Sequence, residues 1–381
     1  MKLTSIATPA LFFLMTLGLS AASAQEFHTG ATYTVGTEPQ TVVVADFNND
    51  GKPDLAIPDY TSQEISILLG NGNGTFKVLK PFSTTSGAAA LAVGDFNGDG
   101  NLDIAVTEYG FGGPGVLAIY LGNGDGTFTP GASYSIGSDP YDITVADFNG
   151  DGILDLATAN NGPNSISVFF GNGNGTFKSP VNYYSPSPER VLAVDLNGDG
   201  RPDLAVLAYC GGEPKVCNHG AVQVLLNTGK GKFGTPTYFP VGVGPDGIAA
   251  ADLNHDGNID LVVANNNFQA PSTVSVLFGR GDGTFEWPDS YNVGDGPAGL
   301  AVADLNHDGS LDIAVANVGS STLSILYGDD KGKFGTAQTY TFASSSATIA
   351  VAAAQLRPNR GPDLTVVLDY ANQVTVLLNK D

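Results

Sequence analysis

Basic residues are scarce in this chain: 16 Lys and Arg stand against 38 Asp and Glu, a formal net charge of −22. That balance argues against nucleic acid and anionic membranes as partners, since both need a basic face. Histidine is nearly as sparse, with only His28, His219, His255 and His307. No nucleophile elbow or zinc-protease pattern accompanies them, so no catalytic residue is expected. Lys215 and Arg190 are the only basic candidates for a calcium-dependent lyase acting on an acidic sugar, and a solvated surface role is expected for both. Cysteine is limited to Cys210 and Cys217, in AYCGGEPKVCNHG. In an exported chain such a close pair is expected to form a disulfide that pins its loop, with a metal pair or two free thiols as the alternatives.

Long apolar runs are missing except at the start. There MKLTSIATPALFFLMTLGLSAASAQ gives Lys2, an apolar stretch from Leu11 to Leu19 and the small-residue site Ala22-Ser23-Ala24. A signal peptide is expected over residues 1–24, because the apolar run falls short of the ~20 residues a spanning helix needs. The mature chain, from residue 25 to 381, is expected to be one exported domain, extracellular or periplasmic, without membrane insertion and monomeric.

What the chain has in abundance is glycine, 50 residues, and a motif that carries much of the acidity. DFNNDGKPD, DFNGDGNLD, DFNGDGILD, DLNGDGRPD, DLNHDGNID and DLNHDGSLD begin at Asp46, Asp95, Asp147, Asp195, Asp252 and Asp304. QLRPNRGPD, from Gln355, keeps the frame and loses most of the oxygens. Around each copy the same sentence recurs: an apolar run, the motif, a second run such as DIAVAN, a third such as ISILLG, then GNGNGTF or a cousin. These short β-branched segments bounded by turn residues read as four strands per repeat. Seven such repeats, about fifty residues apart, predict an all-β, seven-bladed β-propeller of antiparallel strands, against a β-solenoid, whose units are shorter. The chain ends in a third strand, VTVLLNKD. EFHTGATYTVG near the start matches the second repeat's TFTPGASYSIG, aligning Phe27 with Phe128, Tyr33 with Tyr134 and Gly36 with Gly137. The N-terminal strand is therefore expected to complete the last blade and close the ring, covering an edge.

Each motif looks like the front of a calcium loop. Oxygens fall at positions one, three, five and nine, a glycine at six allows the sharp turn, and position seven offers its backbone carbonyl. The expected ligand sets are Asp46, Asn48, Asp50, Lys52 and Asp54; Asp95, Asn97, Asp99, Asn101 and Asp103; Asp147, Asn149, Asp151, Ile153 and Asp155; Asp195, Asn197, Asp199, Arg201 and Asp203; Asp252, Asn254, Asp256, Asn258 and Asp260; and Asp304, Asn306, Asp308, Ser310 and Asp312. An Asx-rich turn without metal is the alternative. Up to six calcium ions are expected, none in the seventh copy, where Gln355, Arg357 and Asn359 stand at ligand positions. The motif holds 18 of the 38 acidic residues, and six calcium ions would move the formal charge from −22 to −10. Position four varies (Asn49, Gly98, Gly150, Gly198, His255, His307) and reads as a tolerant spacer.

This arrangement resembles the FG-GAP or VCBS repeat family, which includes the propeller of integrin α subunits. The resemblance covers essentially all of the mature chain and implies calcium between the first two strands of each blade. Binding is then the expected function class, with an extracellular protein or glycan as ligand. Hairpin alternation puts the calcium loops and GNGNGT turns on one face and the loops of varying length on the other. The aromatics expected on that second face are Tyr60, Tyr109, Phe111, Tyr209, Phe268 and Tyr370. A lectin would repeat one aromatic in every blade, and the position reads Tyr60, Tyr109, Asn161, Tyr209, Asn266, Val318 and Tyr370, an incomplete pattern. Trp287, the only tryptophan, is expected to pack in an outer strand or at the rim.

Overall fold

The computed structural model describes residues 27–110, 113–209, 219–267, 272–343 and 345–380. The expected signal peptide, Phe111, Cys210, Lys215, Cys217 and Phe268 lie outside the described residues. Every regular element described is a β-strand, and the strands form seven antiparallel sheets. The third blade is representative: Pro140–Ala146, Asp155–Asn160, Ser165–Phe169 and Val181–Tyr184 pair in chain order. Its alternating β-branched residues suit the pleat, and its second strand is buried along its whole length because a neighbouring blade covers each face. First strands of successive blades lie side by side around the axis. The fold is a seven-bladed propeller.

The last sheet holds Thr348–Ala354, Asp363–Leu368, Gln373–Asn379 and the N-terminal strand Phe27–Thr34. The expected alignment holds atom for atom. The Tyr33 hydroxyl accepts the Phe76 N–H at 2.7 Å, as the Tyr134 hydroxyl accepts that of Phe177 at 2.6 Å. Phe27 is 2% exposed and meets Tyr340 edge-on. Apolar cores fill the gaps between blades, so each blade is stabilised through its neighbours; the ring's closing gap buries Leu55 and Ile57 against Val367 and Val376.

One core position departs from the repeat. Asn160, Asn265 and Asn317 end their second strands and donate from Nδ2 to the hydroxyls of Ser167, Ser275 and Ser324 at 2.9–3.0 Å. The first blade has Asp59 there, fully buried. One of its oxygens accepts the Ser66 hydroxyl at 2.7 Å and the other has no partner. Burial pushes this carboxyl up to about 7, against the pull of Ser66. An acid raised in the folded state contributes stability below its unfolded pKa, near 4, and loses it as pH rises through about 7. Asp59→Asn, the residue three other blades use, is therefore expected to raise stability by about 1–2 kcal/mol at pH 8 and to leave it nearly unchanged at pH 4. Thermal melts at the two pH values check this, and a destabilised variant at pH 8 would refute it.

Candidate functional site

The first-to-second-strand loops line one face. In the second blade, Asp95 Oδ1 accepts the N–H groups of Gly98 (2.7 Å) and Asp99 (3.2 Å), and Oδ2 accepts that of Gly100 (2.9 Å). Asn97 Oδ1 takes the Asp99 N–H and Asp99 Oδ1 that of Asn101, each at 2.8 Å. Side-chain oxygens thus wrap the turn from inside. Position four is no free spacer. It is left-handed in all six loops, with φ of 58° at Asn49 and His255 and 61° at His307, and glycine elsewhere. Glycine, asparagine and histidine are residues that accept this conformation readily, which explains the restricted choice.

Position nine does something the spacing does not show. All seven of these aspartates, Asp54, Asp103, Asp155, Asp203, Asp260, Asp312 and Asp363, are fully buried. In the first six, one oxygen accepts the N–H of position two and the other the N–H at the end of the third strand, at 2.7–3.0 Å. Burial pushes Asp54, Asp155, Asp260 and Asp312 up to about 6 against those two donors. The position-two residue, so fixed, reaches the next blade. The carbonyls of Phe47, Phe96 and Leu196 accept from Gly126, Gly175 and Gly283, while those of Phe148 and Leu305 accept from the side-chain amides of Asn227 and Asn379.

These oxygens offer a hard, anionic donor set of the kind calcium takes. Among the described residues no three carboxylates stand converged on one point; they fold onto loop amides instead. One buried oxygen, Asp304 Oδ1 at position one of the sixth loop, has no hydrogen-bond partner. Cations already meet some loops: Lys52 pairs with Asp50 at 2.9 Å and Arg201 with Asp199. In the seventh loop the cation is built in. Arg357, at position three, grips Asp363 through Nε (3.1 Å) and Nη2 (2.7 Å), and Nη2 also reaches the Asn379 carbonyl at 2.6 Å. An acidic loop that lacks such a group calls for an external cation, so the residues present fit calcium.

The opposite end of the axis holds a cavity of about 580 Å³. Its mouth is built on β-bulges. Where each first strand begins, one extra residue breaks the register with the second strand: Ala89, Tyr141, Glu189, Asp246 and Ile349 in five of the blades. A bulge re-aims its side chain, here into the mouth. Arg190, next to the bulge, donates from Nε to the Asp246 carbonyl (2.8 Å), from Nη2 to Asp246 Oδ1 (3.1 Å) and from Nη1 to the Tyr141 carbonyl (3.4 Å). It is therefore committed inside the cavity, which corrects its expected place on a solvated surface. Asn161 Nδ2 donates to Glu189 Oε1 at 3.0 Å, and burial, then the neighbouring Asp246, pushes Glu189 up to about 7.

Tyr60, Tyr109 and Tyr141 form an edge-to-face ladder with centroids 5.8 and 6.4 Å apart, leading to the mouth. The Asp139 carboxylate accepts the Tyr109 hydroxyl and raises its pKa. Tyr209 and Asn266 line the cavity itself. The structure thus joins three of the six expected aromatics to one site. Tyr370 is not among them. Strand pairing makes Leu368 the counterpart of Asn317, so the residue in register with Val318 is Asp369, and Tyr370 is 72% exposed. Trp287, expected to pack or to sit at the rim, is 80% exposed just ahead of the outer strand Asp289–Asn292, a rim position. The missed residues, Tyr141, Asp142, Glu189 and Asp246, had a signal in the sequence: each lies one or two places after a proline that recurs at the start of the first strand.

The FG-GAP-like repeat matches five stretches of the sequence, residues 46–106, 107–158, 147–206, 215–263 and 256–315. The chain belongs to the FG-GAP-like repeat family. No curated protein matches this FG-GAP propeller. Similar solved structures include an Agrocybe aegerita lectin described as recognising non-reducing terminal N-acetylglucosamine, 21% identical over 87% of this chain and 86% of that one, with a TM-score of 0.56. BBS1N, solved in complex with ARL6DN, is 12% identical over 93% and 97%, with a TM-score of 0.64. A functionally unknown protein from Desulfotomaculum acetoxidans is 15% identical over 80% and 86%, with a TM-score of 0.56. At these identities the likeness shows the fold alone.

The loop geometry separates the position-nine anchor from the oxygens at positions one, three and five. Asp103→Ala orphans the buried N–H groups of Phe96 and Gly122 and is expected to cost about 3 kcal/mol, in calcium and in EDTA alike. Arg357→Met leaves Asp363 without its cation and is expected to cost a similar ~3 kcal/mol, again regardless of calcium. Chemical denaturation with and without chelator measures both; a loss confined to the calcium-loaded protein would overturn the anchoring role.

Proposed function

We propose that this FG-GAP propeller is an exported, calcium-stapled binding module, non-catalytic, whose ligand docks on the face opposite the calcium loops. The observation that carries this reading is the axial mouth, where tyrosines, carboxylates and Asn266 from five blades gather around one cavity. Recognition favours such a place, a concave site with a few placed polar groups on a rigid scaffold. Catalysis finds no support in the geometry: none of His28, His219, His255 and His307 lines the cavity. A lyase acting on an acidic sugar needs a free cation, and Arg190 is held by Asp246 and Tyr141. A carbohydrate ligand is the second reading, favoured by the tyrosine ladder beside acceptor groups. A protein partner in adhesion remains compatible with the same face.

Calcium in this reading supplies charge. Positions one, three and five would hold the ion, with the position-seven carbonyl beside them, while position nine keeps the hairpin shut. Without the bidentate glutamate of a full loop, each site is expected to bind with Kd ~10⁻⁴–10⁻³ M. At millimolar calcium and Kd ~0.1 mM, one site stabilises by about 1.4 kcal/mol, and six by roughly 8 kcal/mol. The mature protein is therefore expected to melt well below its calcium-loaded temperature in excess EDTA, and equal melts would end the calcium reading. For the ligand face, the calcium-loaded protein goes onto a broad glycan array and through a pull-down from extracellular protein. Tyr141→Ala with Tyr209→Ala should abolish whatever binding appears, and full retention by that folded double variant would remove the mouth from the proposal.

A further inference from the structure

The five bulge positions and their neighbours do not repeat one another. Blades three to five bring Tyr141, Glu189 and Asp246 to the mouth, with Asp142 and Arg190 beside them. Blades two and seven bring Ala89, Ala90, Ile349 and Ala350 to the same cavity. Blade one, between those two, adds the uncharged Gln40 and Thr41, so the mouth is charged at blades three to five and uncharged elsewhere, a single orientation for a ligand rather than a ring of equal sites. Of the residues lining it, three are carboxylates and one is a cation.

The hydrogen bonds narrow the chemistry. Each carboxylate has one oxygen committed: Glu189 Oε1 to the Asn161 amide, Asp246 Oδ1 to Arg190, Asp142 Oδ2 to the Val191 N–H at 2.9 Å. Each keeps a second oxygen as an acceptor. The one guanidinium already donates to Asp246 and to the Tyr141 carbonyl. Asn266, on the same wall, has an Oδ1 with no partner among the described residues. An acceptor-rich, net-negative site selects a ligand rich in donors and positive in charge, and it penalises a uronate, whose carboxylate would meet like charge. Tyr141 and Tyr209 present ring faces and edges suited to a pyranose or a cation. A volume of about 580 Å³ exceeds what a simple amine fills and lies within the range of small-molecule sites.

Resting on the reading that this face carries the ligand, we propose that the axial mouth binds one saccharide per chain and selects an amino sugar with its amine free. The ammonium sits among Glu189, Asp246 and Asp142, and the sugar ring lies against Tyr141 and Tyr209. Titration calorimetry of the calcium-loaded mature chain with three trisaccharides tests this: a β-1,4 glucosamine trimer, its fully N-acetylated counterpart and a galacturonic acid trimer. The expected result is about one site per chain, with the free-amine trimer tightest and the galacturonate trimer unbound. Glu189→Gln should weaken the glucosamine trimer about tenfold, the scale of a lost charged hydrogen bond. Tyr209→Ala, at a residue 40% exposed and so removable without disturbing a core, should weaken it about threefold. Equal binding of the acetylated trimer, tighter binding of galacturonate, or several sites per chain would overturn the proposal. If no trimer binds while array or pull-down binding still depends on Tyr209, the amino-sugar inference falls and the reading of this face stands. If no trimer binds and Tyr209→Ala changes nothing anywhere, both fall.

Discussion

The rest of this molecule depends on one buried carboxylate per blade. The position-nine aspartate begins the second strand, and in six blades its two oxygens hold the N–H of the loop and the N–H at the end of the third strand. A carboxylate with no exposure survives there because two backbone donors face it; unpaired, the same charge would cost several kcal/mol. By fixing position two, it also fixes the carbonyl that the next blade grips. Hairpin, sheet and ring are thus joined through a single side chain, repeated around the axis.

The seventh blade shows which part of the loop serves the fold and which serves charge. It has lost the carboxylates at positions one and five, where Gln355 and Asn359 stand, and the oxygen at position three, yet it retains Asp363, and Asp363 still accepts the third-strand N–H, from Asn379, at 2.8 Å. The position-two donor is replaced there by Arg357, which brings its own positive charge. The guanidinium answers an electrostatic problem, an anion sunk into a tight loop. The blade that uses the guanidinium is the one that closes the ring with the N-terminal strand, so closure rests on covalently attached charge.

Much of this was legible in the sequence because a repeat reports its own register. The period predicts the blade count, and the match of Phe27 and Tyr33 to Phe128 and Tyr134 predicts the closing strand; the structure adds that both tyrosine hydroxyls accept the equivalent backbone N–H. The limits were physical. Variation at position four looks like tolerance until φ is known, when Asn49, His255 and His307 prove to be residues that bear a left-handed turn. Tyr370 matched by residue type where the pairing of Leu368 with Gln373 puts Asp369. The mouth was hidden for a different reason. Period-two alternation assigns faces within a strand, and a bulge breaks that alternation at the one place where the side chains turn inward, so Tyr141, Glu189 and Asp246 read as the edges of strands.

The two ends of the propeller are connected by the shortest route the fold allows. Pro140–Ala146, Pro188–Val194 and Pro245–Ala251 each start at the mouth beside a bulge residue and run directly into an acidic loop. Seven residues of strand span roughly 23 Å, and the strand is stiff because both its neighbours pair or pack along it. The loop's aspartate pins one end of that strand, and the left-handed residue ahead of each proline, Asp139, Ser187 or Gly244, bends the chain at the other. The mouth's charged residues come from the same three blades, so the strands that carry them are those anchored at their far ends by Asp155, Asp203 and Asp260.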